Sequence, residues 1–426
     1  MINKDSLLLE LENLPKGYIS KKIIHGKTYF YLQYKDGNKL ISKYIKGNDL
    51  EALKALLKRR EELIELLKKE EAKEKPLNHL SKRTLELSGY VMSEDNIVAF
   101  FEKGNLVYIN ENAPLIVKKN KDLVAFLSSR VMDTSRTNAR LLKRVLDIHG
   151  EEDYLIALKN HATSVTDNYW FKSKGSRLKY KDVSLESDIY NEISLKGELS
   201  YYPHQGKLSP QFSLLGSLEK CWKLIDKKWW MYKAESLEER ESELISSRIS
   251  AALNIPTAYY ELEDKYIKTL NFASEYNYEH LASIAGDDDS YLHVYQTLKD
   301  IDIELVKQYL KLIWFDALVN NVDRHNENIG LLRDKKLGTI ISLAPNFDLN
   351  MSLYAKDHKL EKRQQGLLSY FLNFVKTNKE IKDLYKSIKF PVIDEEIIDG
   401  CLMGIEDKYD VKGYILYRYE ILKKLL

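Results

Sequence analysis

The chain has 426 residues, 44% of them hydrophobic, and its 66 basic and 64 acidic residues leave a formal net charge of +2. The length predicts two or three domains, and the composition excludes both a disordered chain and a uniformly basic nucleic-acid binder. Because Cys221 and Cys401 are the only cysteines and no apolar run is long enough to span a membrane, we expect a cytoplasmic protein without a disulfide framework.

Residues 1–78 are predicted to form an accessory module. Residues 17–46 alternate like strands and are interrupted by two glycine turns, which predicts a three-stranded antiparallel meander. A helix should follow, from position 48 or 49 to about position 75. Lysines and tyrosines interleave over residues 16–46, so two interpretations stay open: a nucleic-acid surface and a solvated lysine face.

The second predicted region, residues 79–272, alternates strands and helices. It includes a hairpin over Asn96–Ile109 and an aromatic core strand over Asp167–Phe171. The stretch of this region that most suggests a binding site starts at Phe212. In it, a turn centred on Gly216 separates two strand-like runs. Glycine lets backbone amides approach an anion, so this turn is a candidate anion-binding nest.

A strand ending in Lys233 follows this turn and precedes a predicted helix over Leu237–Leu253. The helix carries two glutamates that could pair with the lysine, Glu241 and Glu243. Taken alone, Lys233 would be an ordinary edge-strand lysine. The glycine turn before it and the glutamates after it favour a functional role.

The third region, residues 273–426, is predicted to be helical outside one hairpin. After an apolar helix, Asp323 precedes Asn328 by the Asp-x4-Asn spacing of a kinase catalytic loop. A hairpin then folds the chain back, so Asn328 before it and Asp348 after it can approach each other. Oxygen ligands of this kind suit Mg²⁺. An acidic loop, Asp287–Asp289, is either a second metal site or a helix cap, and capping is the favoured interpretation.

The stretch Asn320–Asn328, together with Leu343–Asp348, resembles the HipA-type serine/threonine kinases, bacterial proteins often found as toxins. The segment Asp323–Ile329 is also similar to the catalytic loop of phosphatidylinositol kinases. Compared with common protein kinases, the arginine stands after Asp323 instead of before it, and Leu349-Asn350 replaces a Phe-Gly pair.

This resemblance implies a two-lobed α+β fold over about residues 85–426 and transfer of the ATP γ-phosphate, with Mg²⁺, to a protein hydroxyl. It also implies a role for each matching residue. Asp323 would be the catalytic base, and Asn328 and Asp348 would be magnesium ligands. Lys233, paired with Glu243, would contact the ATP phosphates, and the loop over those phosphates would contain Ser213, Gly216, Ser217 and Lys220. In this family a serine of that loop can be autophosphorylated, and Ser213 matches it by spacing. The hinge that grips adenine should fall near Lys268–Phe272.

Two alternatives stay open. The same fold could phosphorylate a lipid or a small molecule. In the other alternative, the basic module docks on nucleic acid or on a partner, and the kinase fold is a non-catalytic scaffold. An antitoxin is a candidate partner besides the protein substrate. The sequence identifies neither the antitoxin nor the substrate.

Overall fold

The computed structural model describes residues 14–24, 27–36, 39–45, 49–50, 52–60, 63, 87–133, 136, 138–145, 153–198, 208–216 and 218–425. The chain divides into two compact units, Met1–Arg83 and Thr84–Leu426. Among the described residues, no helix has both the length and the apolar character needed to cross a membrane.

The described part of the first unit is a three-stranded antiparallel sheet followed by the helical residues 52–60. In the order of the sheet its strands are β1 Tyr18–Ile24, β2 Lys27–Asp36 and β3 Lys39–Ile45. The predicted meander is therefore confirmed. Positions 64–75 of the predicted helix lie outside the described residues.

The second unit begins with a four-stranded antiparallel sheet in the order β6-β5-β4-β7. Its strands are β4 Gly89–Ser93, β5 Asn96–Glu102, β6 Asn105–Ile109 and β7 Tyr169–Ser173. The described residues of this part of the chain form six short helices: Leu115–Asn120, Leu123–Ser128, Ala139–Val145, Asp153–Lys159, Tyr180–Val183 and Asn191–Lys196. Val91, Phe101 and Phe171 of the sheet pack with Phe126 and Leu142 of the helices in one core. Strands β5 and β6 confirm the predicted hairpin.

A second antiparallel sheet, in the order β10-β11-β9-β8, carries the lysine strand. Its strands are β8 Lys220–Ile225, β9 Lys228–Lys233, β10 Tyr260–Glu263 and β11 Tyr266–Leu270. The small-lobe helix (Leu237–Ala252) joins β9 to β10. A capping box starts this helix: Glu239 N donates to Ser236 Oγ at 3.3 Å, and Ser236 N donates to the Glu239 carboxylate at 2.8 Å.

A third antiparallel sheet, in the order β12-β13-β14, contains the predicted catalytic hairpin. Its strands are β12 Tyr276–His280, β13 Gly330–Asp334 and β14 Ile340–Leu343. Strand β12 was not predicted, because its polar residues, Asn277 and Glu279, are buried and not exposed to solvent as an alternating pattern would imply. Asn277 and Glu279 are buried there because they bind Asn168 N at 2.9 Å and Arg333 Nη1 at 2.5 Å.

The rest of the second unit is mainly helical and is built on the central helix (Ile303–Val319), whose last eight residues are all buried. The other helices here are Ala282–Ala285, Tyr291–Lys299, Gly366–Thr377, Lys379–Ser387, Glu395–Cys401 and Val411–Lys423. The expectation of helix everywhere after Ile301 outside the hairpin is wrong for residues 344–365. Positive φ angles at Asp348, Leu353 and Lys356 prevent a continuous helix there. The two-lobed α+β fold is confirmed.

Candidate active site

One cleft of about 400 Å³ lies against the β8–β11 sheet, and the catalytic hairpin borders it. Most of the predicted site residues line this cleft: Ser213, Gly216, Lys220, Lys233, Asp323, Asn328 and Asp348. The predicted hinge also borders it, through Leu270, Asn271 and Phe272. Glu243 lies behind the cleft in contact with Lys233. Ser217 lies outside the described residues.

The ammonium group of Lys233 is held between two carboxylates. Its Nζ donates to both oxygens of Glu243, at 2.8 and 3.0 Å, and to Asp348 Oδ1 at 2.7 Å. Burial would lower the pKa of Lys233, but the charges of Asp348 and Glu243 raise it well above its ordinary value. Burial would raise the pKa of Asp348, but the charges of Lys233 and Lys220 lower it to about 2. Lys233 and Asp348 are therefore both ionised at neutral pH.

The two candidate glutamates of the small-lobe helix point in different directions. Glu243 contacts Lys233, whereas the hydroxyl of Tyr354 donates to Glu241 Oε2 at 3.0 Å. Residues two apart on a helix are separated by about 200° around its axis, so one lysine cannot meet both. In this geometry, Glu243 is the partner of Lys233.

A third carboxylate, Glu235, also approaches the lysine. Its Oε1 lies 3.5 Å from Lys233 Nζ and accepts a hydrogen bond from Asn350 Nδ2 at 3.0 Å. Burial, and then the charge of Glu243, raise the pKa of Glu235 to about 8. Glu235 therefore holds its proton more tightly than an ordinary glutamate does.

The glycine turn brings a second lysine to the same cleft. Gly216 has a φ of +87°, and a Cβ placed there would stand 2.6 Å from Lys220 Nζ. Glycine therefore provides both the left-handed backbone and the space for the lysine side chain. Burial lowers the pKa of Lys220 to about 8. Ser213 ends the preceding 3-10 turn, Pro210–Ser213, and its Oγ donates to Pro210 O at 3.1 Å.

Arg324 connects the two predicted magnesium ligands through the backbone next to them. Its Nε and Nη2 each donate to the Asp316 carboxylate at 2.9 Å. Its Nη1 donates to Asn328 O at 2.7 Å and to Phe347 O at 3.2 Å, and Nη2 also donates to Asn346 Oδ1 at 2.7 Å. A planar guanidinium can satisfy these diverging acceptors together, whereas a single ammonium cannot. The arginine that follows Asp323 in sequence therefore serves as an anchor beneath the loop.

Asp323 itself reaches the cleft with about half of its side chain exposed. Burial raises the pKa of Asp323 above its ordinary value, and the nearby charge of His325, 4.0 Å away, partly opposes that rise. Asn328 Nδ2 donates to Asp323 O at 3.0 Å. This hydrogen bond fixes the loop and turns the amide oxygen of Asn328 away from the Asp323 carbonyl.

The acidic loop positions the catalytic loop from its other side. Asp289 Oδ1 accepts from Asn326 N at 2.7 Å, and Asn326 Nδ2 donates to Gly286 O and Asp288 O at 2.9 and 3.0 Å. Asp288 Oδ1 accepts from Ser290 N at 2.9 Å, next to the following helix. The acidic loop thus forms a local turn before this helix and makes a contact to Asn326 that was not predicted, but no side chain caps the helix, so the favoured capping interpretation is wrong. Within the described residues, no group of three or more His, Cys, Asp or Glu side chains could hold a metal.

Sequence reasoning singled out neither Glu235 nor Asn350 as site residues. It assigned no role to Arg324, and it considered Asp289 only as part of a metal site or a helix cap. Arg324 lies inside the predicted loop and Asp289 precedes it, and their hydrogen-bond partners lie 4 to 37 residues away. Glu235 and Asn350 are 115 residues apart. The position of Arg324 directly after Asp323 was the one available signal, because a charged residue in a tight loop needs a counter-ion.

Comparison with protein families identifies two segments. Residues 212–401 match the HipA-like C-terminal domain, and residues 3–55 match a domain of unknown function, DUF6788. The first match covers the glycine turn, the lysine, the small-lobe helix and the catalytic hairpin, and it confirms the resemblance to HipA-type kinases. No curated protein matches the chain.

Two solved structures resemble parts of the chain. The proinflammatory kinase CtkA of Helicobacter pylori has 19% sequence identity and a TM-score of 0.38, over 48% of this chain and 89% of that chain. HipA of Shewanella oneidensis MR-1, solved with HipB and operator DNA, has 12% identity and a TM-score of 0.45, over 79% of this chain and 99% of that chain.

Proposed function

We propose that this chain is an ATP- and Mg²⁺-dependent protein serine/threonine kinase, because residues 212–401 match the HipA-like C-terminal domain. One observation carries the proposal. Lys233 bridges Glu243 and Asp348 at the wall of the cleft that Asp323 and Asn328 also line. A chain that used this fold only as a scaffold would have no need to bury such a costly cluster of charges.

The two lysines of the cleft are the proposed phosphate ligands. Lys233 and Lys220 are paired across neighbouring strands β9 and β8, so their positive charges lie on the same face of the sheet. The amides near Gly216 would add donors, as in other anion-binding turns. The apolar side chains of Trp222 and Met231, which line the same cleft next to the hinge, suit a purine base.

Asp323 is the proposed base for the acceptor hydroxyl, because it is a half-exposed carboxylate that lines the cleft. Asn328 and Asp348 are the proposed magnesium ligands. The donor set fits Mg²⁺: one carboxylate and one amide oxygen, with the remaining positions left for phosphate oxygens and water. When bound, Mg²⁺ would neutralise charge on the transferred phosphate.

Expression in a bacterial host with quantitative phosphoproteomics tests the proposal. The wild-type chain is expected to produce new phosphoserine or phosphothreonine sites that an Asp323→Ala variant, present at equal abundance, does not produce. Phosphorylated lipids or metabolites in place of protein sites would favour the lipid or small-molecule alternative. Identical phosphorylation patterns in both cultures would remove the enzyme assignment.

The physiological setting is part of the same proposal. We propose a toxin role with an antitoxin partner and autophosphorylation at Ser213, and the match to the HipA-like C-terminal domain supports this proposal. Free thiols at Cys221 and Cys401 suit a reducing cytoplasm. We also propose the division into an accessory module at 1–78, a small-lobe region at 79–272 and a helical large lobe at 273–426.

A nucleic-acid contact is the second candidate function, and it belongs to the first unit. The sheet exposes Lys21, Lys43 and Tyr44 to solvent, and Tyr44 is 56% exposed. Lysines that neutralise phosphates make affinity fall steeply with salt. Fluorescence anisotropy of labelled duplex DNA with the full chain tests this candidate. The affinity for DNA should fall at least tenfold when salt rises from about 50 to 200 mM. It should also fall at least tenfold in a Lys21→Glu/Lys43→Glu variant compared with wild type. An affinity that changes with neither the salt concentration nor the two substitutions would refute this candidate function.

A further inference from the structure

Three successive residues of the proposed metal-binding segment are each held by a different side chain of the small lobe. The three ties are Lys233 Nζ to Asp348 Oδ1 at 2.7 Å, Leu349 N to Glu243 Oε1 at 3.2 Å, and Asn350 Nδ2 to Glu235 Oε1 at 3.0 Å. The first two ties use the lysine and glutamate already described. The third tie uses two residues to which the kinase motifs assign no role.

The third tie is buried. The Glu235 side chain has no exposed surface, and Asn350 is 5% exposed. Glu235 Oε2 is also buried and has no hydrogen-bond partner among the described residues. Burying a carboxyl group with one unsatisfied oxygen costs stability, and an apolar side chain of similar size would often be neutral or better. Stability alone therefore does not account for Glu235.

The segment that this tie holds is strained. Asp348 has a φ of +57°, in the left-handed region that non-glycine residues seldom occupy. Such a conformation costs free energy and persists only where the surrounding contacts enforce it. Asp348 N donates to the hydroxyl of Tyr260 at 3.1 Å, and the three ties act on its side chain and on the two residues after it.

We propose that Glu235 and Asn350 are positioning residues that hold Asp348 in its left-handed conformation and so set the affinity of the site for the divalent cation. This inference rests on the proposed kinase function. Glu235 acts through Asn350 on the backbone, and it touches neither the nucleotide nor the metal. Without the tie, the backbone after Asp348 can relax, and the carboxylate loses its fixed direction.

Binding of Mn²⁺, followed by electron paramagnetic resonance with saturating β,γ-imido-ATP, tests the proposal without turnover. Asn350→Leu removes the donor and Glu235→Met removes the acceptor, both at similar volume. Each is expected to raise the Mn²⁺ dissociation constant about fivefold, the size of one hydrogen bond. The double variant should be no weaker than either single variant, because both remove the same contact. Glu235→Gln keeps an acceptor and should bind Mn²⁺ within about twofold of wild type.

Thermal melts separate a positioning role from a merely structural one. The double variant removes both partners of the buried contact and leaves neither unpaired, so its melting temperature should equal or exceed that of wild type while Mn²⁺ binding weakens. The control is Tyr414→Phe, which removes a buried hydrogen bond from Arg418 Nη1, 2.7 Å long, in the last helix. It should lower the melting temperature and leave Mn²⁺ binding unchanged.

Two failures can be told apart. If the wild-type chain binds neither the nucleotide analogue nor Mn²⁺, the proposed kinase function itself is wrong, and this inference falls with it. If wild type binds both, and Asn350→Leu and Glu235→Met bind Mn²⁺ as tightly as wild type, only the positioning role is refuted. Weaker binding that parallels a loss of melting temperature in the double variant would also refute it.

Discussion

Replacing Arg324 by lysine is expected to leave the second unit folded and to lower its turnover strongly. The guanidinium makes five hydrogen bonds at 2.7 to 3.2 Å, to both oxygens of Asp316, to the backbone of Asn328 and Phe347, and to Asn346. Lysine keeps the positive charge that the buried Asp316 needs. Its single ammonium cannot also span the carbonyls on the two sides of the hairpin.

The magnitude follows from the contacts that are lost. If lysine keeps the ion pair and loses the three bonds to the loop, the free energy of unfolding should fall by about 3 kcal/mol, at roughly 1 kcal/mol for each bond. Arg324→Ala also leaves Asp316 without a counter-ion, which should add about 3 to 5 kcal/mol to that cost. Asn328 and Asp348 adjoin the released carbonyls, and a misplacement of about 1 Å there should lower turnover about a hundredfold.

Urea unfolding followed by circular dichroism, with turnover measured on the folded variants, provides the assay. Arg418 is the matched control, a second buried arginine that donates to Ala317 O, to the Tyr414 hydroxyl and, at 3.4 Å, to Asn320 Oδ1, and none of these three residues lines the cleft. Arg418→Lys should lose stability to a similar degree, with turnover changed less than about threefold. Arg324→Lys with wild-type turnover, or with the same activity loss as Arg418→Lys, would refute the anchoring role.

Three further predictions concern charge in the cleft. The pKa of Lys220, lowered by burial to about 8, should rise again when phosphates bind, so nucleotide binding takes up a proton at pH 8.5 and much less at pH 6.5. Calorimetry in buffers of different ionisation enthalpy measures this uptake, and a Lys220→Met variant that keeps it would contradict the assignment. Phosphorylation of Ser213 adds a charge of about −1.5 to −2 beside the proposed phosphate site, so Ser213→Asp should suppress turnover. Mass spectrometry after incubation with ATP and Mg²⁺ should find phosphate on Ser213 of the active wild-type chain, and unmodified Ser213 there would refute self-inactivation. Because burial raises the pKa of Asp323, turnover should fall on acidification at a pH above the ordinary aspartate range, as the base becomes protonated. A pH–rate profile that stays flat through that range would count against Asp323 as the base.

Local spacing accounts for the parts of the site that could be predicted. Asp323 and Asn328 lie in one short loop, and a hairpin returns the chain to Asp348, so their proximity follows from sequence separation and turn chemistry. The pairing of Lys233 with Glu243 needed only a strand followed by a helix. The choice between Glu243 and Glu241 depended on the rotation of that helix, which the sequence pattern did not determine.

The contacts that were missed are long-range and polar. Glu235 meets Asn350 across 115 residues, and Asp289 meets Asn326 across 37. Strand β12 was missed because buried polar residues such as Glu279 occupy positions where apolar residues would have revealed a strand. Hydrophobic periodicity detects faces that bury apolar surface, and it does not register side chains that are buried because they form hydrogen bonds.

The transfer of labelled γ-phosphate is the most direct test of the central claim. The purified chain would be incubated with Mg²⁺, γ-labelled ATP and a heat-treated bacterial lysate as the source of acceptors, beside an Asp323→Asn variant. We expect label on serine or threonine in the wild-type reaction, at least about a hundredfold less in the variant, and similar affinity of both for β,γ-imido-ATP. Equal labelling by the two proteins, or no protein labelling by a wild-type chain that binds the nucleotide, would contradict the assignment of this cleft as a protein kinase active site.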